Sequence, residues 1–289
     1  MSTQSSFVYL NDRFVPREQA TLDVEDRGTM FADGVYEVLR YFNGKPFALE
    51  PHLDRLRNSL REIYLDDARI DDLPQISDEL IRRNDQPDAA VYWQITRGPA
   101  VRNRAIPQQV KPTLLVMCWP APPLEAMRVM TGRTVIVAPD RRWHRCHIKS
   151  LMLLDNVLSK HLAAQHGVDD VIYARDGIVT ESTASNVFLV RDGALWTHPA
   201  DEHILPGITR AVVIELAREL GIAVKETRFG TDVLALADEV FVTGTTTNIS
   251  PVSHVDGRVL PAVPGPTTQR LHEALLDRIE ETCCCSARG

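Results

Sequence analysis

The sequence lacks a charged leader followed by a long apolar run. It opens MSTQSSFVYL, and no stretch reaches the apolar length of a membrane helix. These absences argue against a secreted or membrane-spanning protein, and a cytoplasmic one is expected. A paired cysteine framework is missing too. Cys118, Cys146, Cys283, Cys284 and Cys285 make an odd count, which suits a reducing compartment. Three adjacent thiols without a nearby histidine do not make a tetrahedral zinc site, so the terminal CCCSARG reads as a frayed tail and no metal is expected. Nor is there a long basic block, and the net charge is -7. Nucleic acid is thereby excluded as the main partner, and a small molecule is expected instead.

What is present is ordinary globular composition, 44% hydrophobic and 25% charged, in a chain of 289 residues, enough for two domains. The clearest break is WPAPPLEA, Trp119 to Ala126, whose closely spaced prolines stop both helix and sheet. The expected organisation is an N-terminal α/β domain over residues 1–118, a linker over 119–126, a C-terminal domain over 127–282 and a tail over 283–289.

Strand and helix signals alternate. SFVYLNDRFVP reads as a hairpin around Asn11 and Asp12, and VYEVLRYF-NG-KPFAL as another, since Asn43-Gly44 is a type I′ turn sequence. On its first strand Tyr36, Val38 and Arg40 share a face. A helix is predicted from Glu50 to Leu65 with Leu53, Leu56, Leu60 and Ile63 on its buried stripe and Arg55 off it, and a second from Leu73 to Arg83. Ala89 to Gly98 and Thr113 to Trp119 read as strands, with the proline- and charge-rich loop carrying Arg102 and Arg104 between them. Two arginines so spaced can converge on a carboxylate, although exposed loop arginines are commoner.

In the second half the turns Asp176-Gly177 and Asp192-Gly193 divide a meander of DVIYA, IVTESTASNVFLV and ALWTHP. Its middle member is interrupted by Thr180 to Asn186, a polar run whose burial demands partners, which a cofactor would supply. Glu181 in that run is either an exposed charge or a ligand-facing carboxylate. A helix beginning at Gly207-Ile208-Thr209 offers free N-H groups to an anion. Phe241 to Val252 is a strand running into a polar turn, and the last helix spans about Thr267 to Glu281.

The densest chemistry is around Lys149. TVIVAP precedes it as a buried strand, and Leu151, Leu154, Leu158 and Leu162 follow at helical spacing until Gly167. With Ser150 as N-cap, the amine would sit near a helix dipole's positive end, which favours its neutral, nucleophilic form. Most lysines at such junctions are simply solvated. A lysine, a carboxylate at Glu181 and a helix N-terminus for a phosphate are together the three parts needed to hold pyridoxal phosphate.

RWHRCHIKSLMLL, TESTASNVF, LPGITR, FADGVYEV and HLDRL together resemble the fold-type IV pyridoxal-phosphate aminotransferases, and among them the D-amino acid transaminases, from about Val8 to the last helix. The resemblance implies an α/β (α+β) two-domain fold, a small N-terminal α/β sandwich and a larger C-terminal pseudo-barrel. It implies amino transfer from a D-amino acid to an α-keto acid through a Lys149 Schiff base. Arg55, Leu205, Ile208, Thr209 and Thr245 would then bind cofactor, the last three and Arg55 at its phosphate, with Glu181 at the pyridine nitrogen. Tyr36 and Thr246 would bind substrate, with Arg102 and Arg104 reaching the α-carboxylate from the partner subunit of a homodimer. Arg104 stands where the D-amino acid enzymes carry histidine, which bears on specificity. The branched-chain L-amino acid aminotransferases, (R)-amine transaminases and aminodeoxychorismate lyases share the fold and are the rival activities; a pyridoxal-phosphate binder without turnover is the rival from another class.

Overall fold

The computed structural model describes residues 6–66, 68–109 and 111–284, which divide into two compact units. The first comprises the described residues up to Glu125, the pentapeptide Ile148–Met152 and those from Glu280 onward; the second comprises Ala126–His147 and Leu153–Ile279.

The first unit contains β1 (Phe7–Leu10), β2 (Arg13–Pro16), α1 (Arg27–Phe31), β3 (Gly34–Phe42), β4 (Lys45–Pro46), α2 (Leu49–Glu62), α3 (Leu73–Asn84), β5 (Ala89–Thr96) and β6 (Thr113–Pro120). Its six strands form one antiparallel sheet in the order β2-β1-β6-β5-β3-β4. The β3–β4 turn places Asn43 and Gly44 at φ 50° and 77°, the left-handed pair that a type I′ turn requires. Helix α2 packs on β3, and α3 on β1, β5 and β6. Because strand side chains alternate, Val35, Leu39 and Tyr41 are buried on one face of β3 while Tyr36 and Val38 stay partly exposed on the other.

The second unit contains β7 (Arg133–Pro139), α4 (Leu154–Gln165), β8 (Asp170–Arg175), β9 (Ile178–Ser182), β10 (Asn186–Arg191), β11 (Ala194–Thr197), α5 (Ile208–Glu219), β12 (Val224–Glu226), α6 (Thr231–Leu234), β13 (Glu239–Gly244), β14 (Asn248–Val255), β15 (Arg258–Val259) and α7 (Pro266–Ile279). Strands β10, β13, β14, β7, β8 and β9 follow one another, and the pair Asn186–Glu181 joins β9 back to β10. The sheet therefore closes on itself as an irregular barrel, the expected pseudo-barrel. Its core is Val135, Ile172, Val187, Leu189, Val242 and their neighbours.

Two sequence expectations fail locally. Helix α4 starts at Leu154 with Leu153 at the cap position, so Ser150 is not its N-cap. Ser150 bridges to Val35, and its hydroxyl accepts the Met152 N-H at 3.4 Å. Among the described residues nothing covers the leucine stripe of α4, where Leu154 and Leu158 are 72% and 57% exposed. The tail begins ordered rather than frayed, since Glu280–Cys284 form a π-helical turn against β3 and β4 with Cys283 buried; Cys285 to Gly289 lie outside the described residues. Among the described residues no helix is long and apolar enough to cross a membrane.

Candidate active site

In the first unit, residues 148–152 run as an extended segment alongside the start of β3. The Tyr36 N-H donates to the Lys149 carbonyl at 2.9 Å, and Leu151 N-H to Gly34 at 3.1 Å. The Lys149 N-H donates to the Ser59 hydroxyl of α2 at 3.2 Å. These bonds fix the backbone of the lysine from both sides. Its amine lies over the ring of Tyr36, 4.4 Å from the centroid, a cation–π distance. Lys149 is only half-buried, and among the described residues no carboxylate pairs with it. An amine against an aromatic ring yet without a counter-ion among the described residues makes no ion pair that would brace the fold.

Arg55 was read as lying off the buried stripe of α2, but it is 7% exposed. The cause is Glu37, fully buried on the core face of β3, which takes Arg55 Nε at 2.7 Å and Nη2 at 2.8 Å and His52 Nδ1 at 2.8 Å. A bidentate carboxylate fixes the guanidinium plane. Burial alone would raise the Glu37 carboxyl, but the charge and hydrogen bonds of Arg55, with His52, hold it well below the usual carboxylate range.

Arg102 and Arg104 stand exposed on the loop after β5. Arg102 lies over the ring of Phe31 at 5.5 Å, and the loop backbone is tied down where Arg27 Nη1 donates to the Asn103 carbonyl at 2.5 Å. Within one chain, then, Lys149 is grouped with Tyr36, and Arg102 with Phe31 instead.

In the second unit the carboxylate of Glu181 is buried at the closure of the barrel. One oxygen pairs with Arg142 Nη1; the other accepts Asn186 Nδ2 and the Leu205 N-H, each at 3.0 Å. The exposed-charge reading of Glu181 is thereby excluded. Burial pushes its carboxyl upward, against the pull of Arg142 and the Leu205 N-H. Arg142 in turn grips Asp140 through Nε and Nη2 and lies over Tyr173.

Thr180, Ser182 and Thr183 of the polar run find partners inside the protein, contrary to expectation. Thr180 donates to Asp140 at 2.9 Å, and Ser182 and Thr183 donate to Asp170 at 2.9 and 2.6 Å. Asp170 and Arg142 were missed from the sequence, because nothing in local spacing marks a carboxylate or guanidinium that serves another strand.

Gly207, extended at φ -67°, precedes α5 and offers no side-chain cap, so the first N-H groups, those of Ile208 and Thr209 included, are left for an anion. Thr209 is buried, Leu205 and Thr245 are partly exposed, and Thr246 is exposed in the β13–β14 turn. An amine without a counter-ion among the described residues, a buried carboxylate and an uncapped helix start are each of the chemistry that the aldehyde, ring nitrogen and phosphate of pyridoxal phosphate call for, so the residue types present fit that group.

Residues 34–255 match the amino-transferase class IV family; the chain belongs to it and is a transaminase. It is 42% identical over 280 residues to the D-alanine aminotransferase of Listeria monocytogenes, covering 96% of this chain and 97% of that protein. In three dimensions it is similar to the branched-chain amino acid aminotransferase of Escherichia coli, with a TM-score of 0.86 at 29% identity over 95% of this chain and 94% of that one. The PLP form of the Thermobaculum terrenum branched-chain enzyme superposes with a TM-score of 0.82 at 28% identity, over 99% and 97% of the two chains.

Proposed function

We propose that the protein is a cytoplasmic, homodimeric, pyridoxal-phosphate-dependent transaminase that moves the amino group of a D-amino acid to an α-keto acid. The observation that carries the cofactor and its chemistry is the Lys149 amine, half-buried over Tyr36 and without a carboxylate partner. Relatives named D-alanine aminotransferase, at 37% to 42% identity, support the D preference.

Arg55, the N-H groups of Ile208 and Thr209 and the hydroxyls of Thr209 and Thr245 would hold the phosphate dianion, with Leu205 beside them. Arg55 comes to that task already oriented by Glu37. When bound, pyridoxal phosphate supplies an electron sink for the carbanion at the amino acid's α carbon. Glu181 keeps a carboxylate for the ring nitrogen. Lys149 Nζ would take the α proton and give it back at the carbon that was the cofactor's aldehyde, as a general base and then a general acid. Tyr36 and Thr246, with Arg102 and Arg104 of a second copy, orient the α-carboxylate.

The dimer is supported by α4, where Leu154, Val157 and Leu158 are 72%, 61% and 57% exposed. Spaced i, i+3 and i+4, they form one apolar face. A second reading, transfer from branched-chain L-amino acids, is favoured by the solved structures of that activity.

The visible spectrum of the holoenzyme, titrated separately with D-alanine, D-glutamate, L-leucine and (R)-1-phenylethylamine, decides between them. The bound-cofactor band should disappear with the D-amino acids; a response to L-leucine alone overturns the D assignment. Lys149→Ala should lower turnover by about 10²–10⁴-fold or more, and substantial remaining activity would reject its role.

A further inference from the structure

We propose that His198, Asp201 and His203 bind a divalent transition metal of the zinc, cobalt and nickel class. From the sequence no metal is expected. Among the described residues these three form the cluster whose potential ligand atoms all lie within 4.8 Å of one another. Two imidazoles and a carboxylate are the donor set such ions favour.

The spacing fits. With bonds of about 2.0–2.1 Å, the ligand atoms around a tetrahedral zinc stand about 3.3–3.4 Å apart. Asp201 Oδ1 is 3.3 Å from His198 Nε2 and 3.2 Å from His203 Nδ1, so two edges already have that length.

The groups behind the ligands point the same way. His198 is 2% exposed, and its Nδ1 lies 2.8 Å from the Val179 carbonyl. A carbonyl only accepts, so Nδ1 carries a proton, and the ring's other nitrogen, Nε2, faces the Asp201 carboxylate, where a proton or a metal cation can lie between them. A backbone carbonyl holding the far nitrogen of a histidine is the usual support of a metal ligand. Asp201 is anchored as well: Arg228 Nη2 donates to Oδ2 at 2.7 Å, and the His203 N-H donates to Oδ1 at 2.9 Å. Asp201 and His203 are each 19% exposed, which leaves a way in. The exposed His144 has its ring 6.0 Å from that of His203, a neighbour for a fourth position.

The role is positional. The loop from His198 to Gly207 also offers the His203 carbonyl to Arg142 at 3.3 Å and the Leu205 N-H to Glu181 at 3.0 Å. A metal clamping its first half steadies two contacts of the Arg142–Glu181 pair. The site stands on its own geometry and does not depend on the substrate assigned above.

A proton on His198 Nε2, making a plain ion pair with Asp201, is the competing account, and two measurements separate them. Calorimetric titration of the holoenzyme with zinc should show one equivalent, and anomalous diffraction from zinc-soaked crystals should place it about 2.0–2.2 Å from the three ligand atoms. The anomalous peak distinguishes this site from the carboxy-terminal thiols. His203→Ala should weaken binding at least about tenfold and remove the zinc-dependent rise in Tm. Arg228→Gln leaves every ligand but loosens the hold on Asp201, so it should weaken binding less than His203→Ala does. Absence of a peak at the cluster, or unchanged affinity in His203→Ala, overturns the proposal.

Discussion

Glu37 carries a negative charge in a core position of β3, and a charge so placed persists only because it is matched. Desolvating a carboxylate costs several kcal/mol, which two hydrogen bonds from Arg55 and one from His52 offset. Its depressed pKa sets the sign of the pH effect. A carboxyl lowered on folding adds stability above its unfolded pKa, and that stability is lost as pH falls through the folded value. Glu37→Gln leaves Arg55 buried without its counter-charge, so chemical denaturation at neutral pH should show a loss of about 3–5 kcal/mol. The variant should also lose less on acidification than the parent. A loss below about 1 kcal/mol would refute this account. From the sequence, Tyr36 and Arg55 were legible as candidate site residues. That Arg55 is buried was not, because its partner is eighteen residues away and sits on the opposite face of β3 from Tyr36.

Among the elements, the tight turns were the most legible. Asn43-Gly44, Asp176-Gly177, Asp192-Gly193 and Asp256-Gly257 all adopt positive φ at both residues, as paired left-handed turn positions require. The strands and long helices follow hydrophobic period in the same way. What local pattern missed is the short β12, α6 and α1, which are held by neighbours and carry too few residues for a periodic signal. Gly207 shows how an element's start is set from elsewhere. A Cβ there would run into the Asn186 side-chain oxygen, and Asn186 Nδ2 holds both Glu181 and the Leu205 carbonyl. Gly207→Ala should therefore destabilise the protein by about 1–3 kcal/mol and weaken cofactor retention in equilibrium dialysis. Parent-like retention in a folded variant would count against a cofactor role for this helix start.

For the molecule as a whole, the α4 stripe is a feature left uncovered among the described residues of one chain. Leu158→Glu places a charge in the proposed dimer face and should shift sedimentation toward the monomer. Turnover should fall with it, since Arg102 and Arg104 would no longer reach a neighbour's substrate. A variant that stays dimeric would move the interface elsewhere.

The chain's own residues determined its class: the turn dipeptides, the alternation of strand and helix, and the separated motifs around Tyr36, Arg55, Lys149, Glu181 and Thr209 are local patterns that a one-dimensional reading can find. Only the tertiary structure decided how their charges are balanced. Glu37 with Arg55, Arg142 with Glu181, and Asp170 with Ser182 and Thr183 join residues on separate elements. The return of Ile148–Met152 to the first unit, where β3 takes hold of Lys149, is of the same kind. Burial creates the need for such partners, and which partner meets it depends on proximity in space, which separation along the chain does not encode.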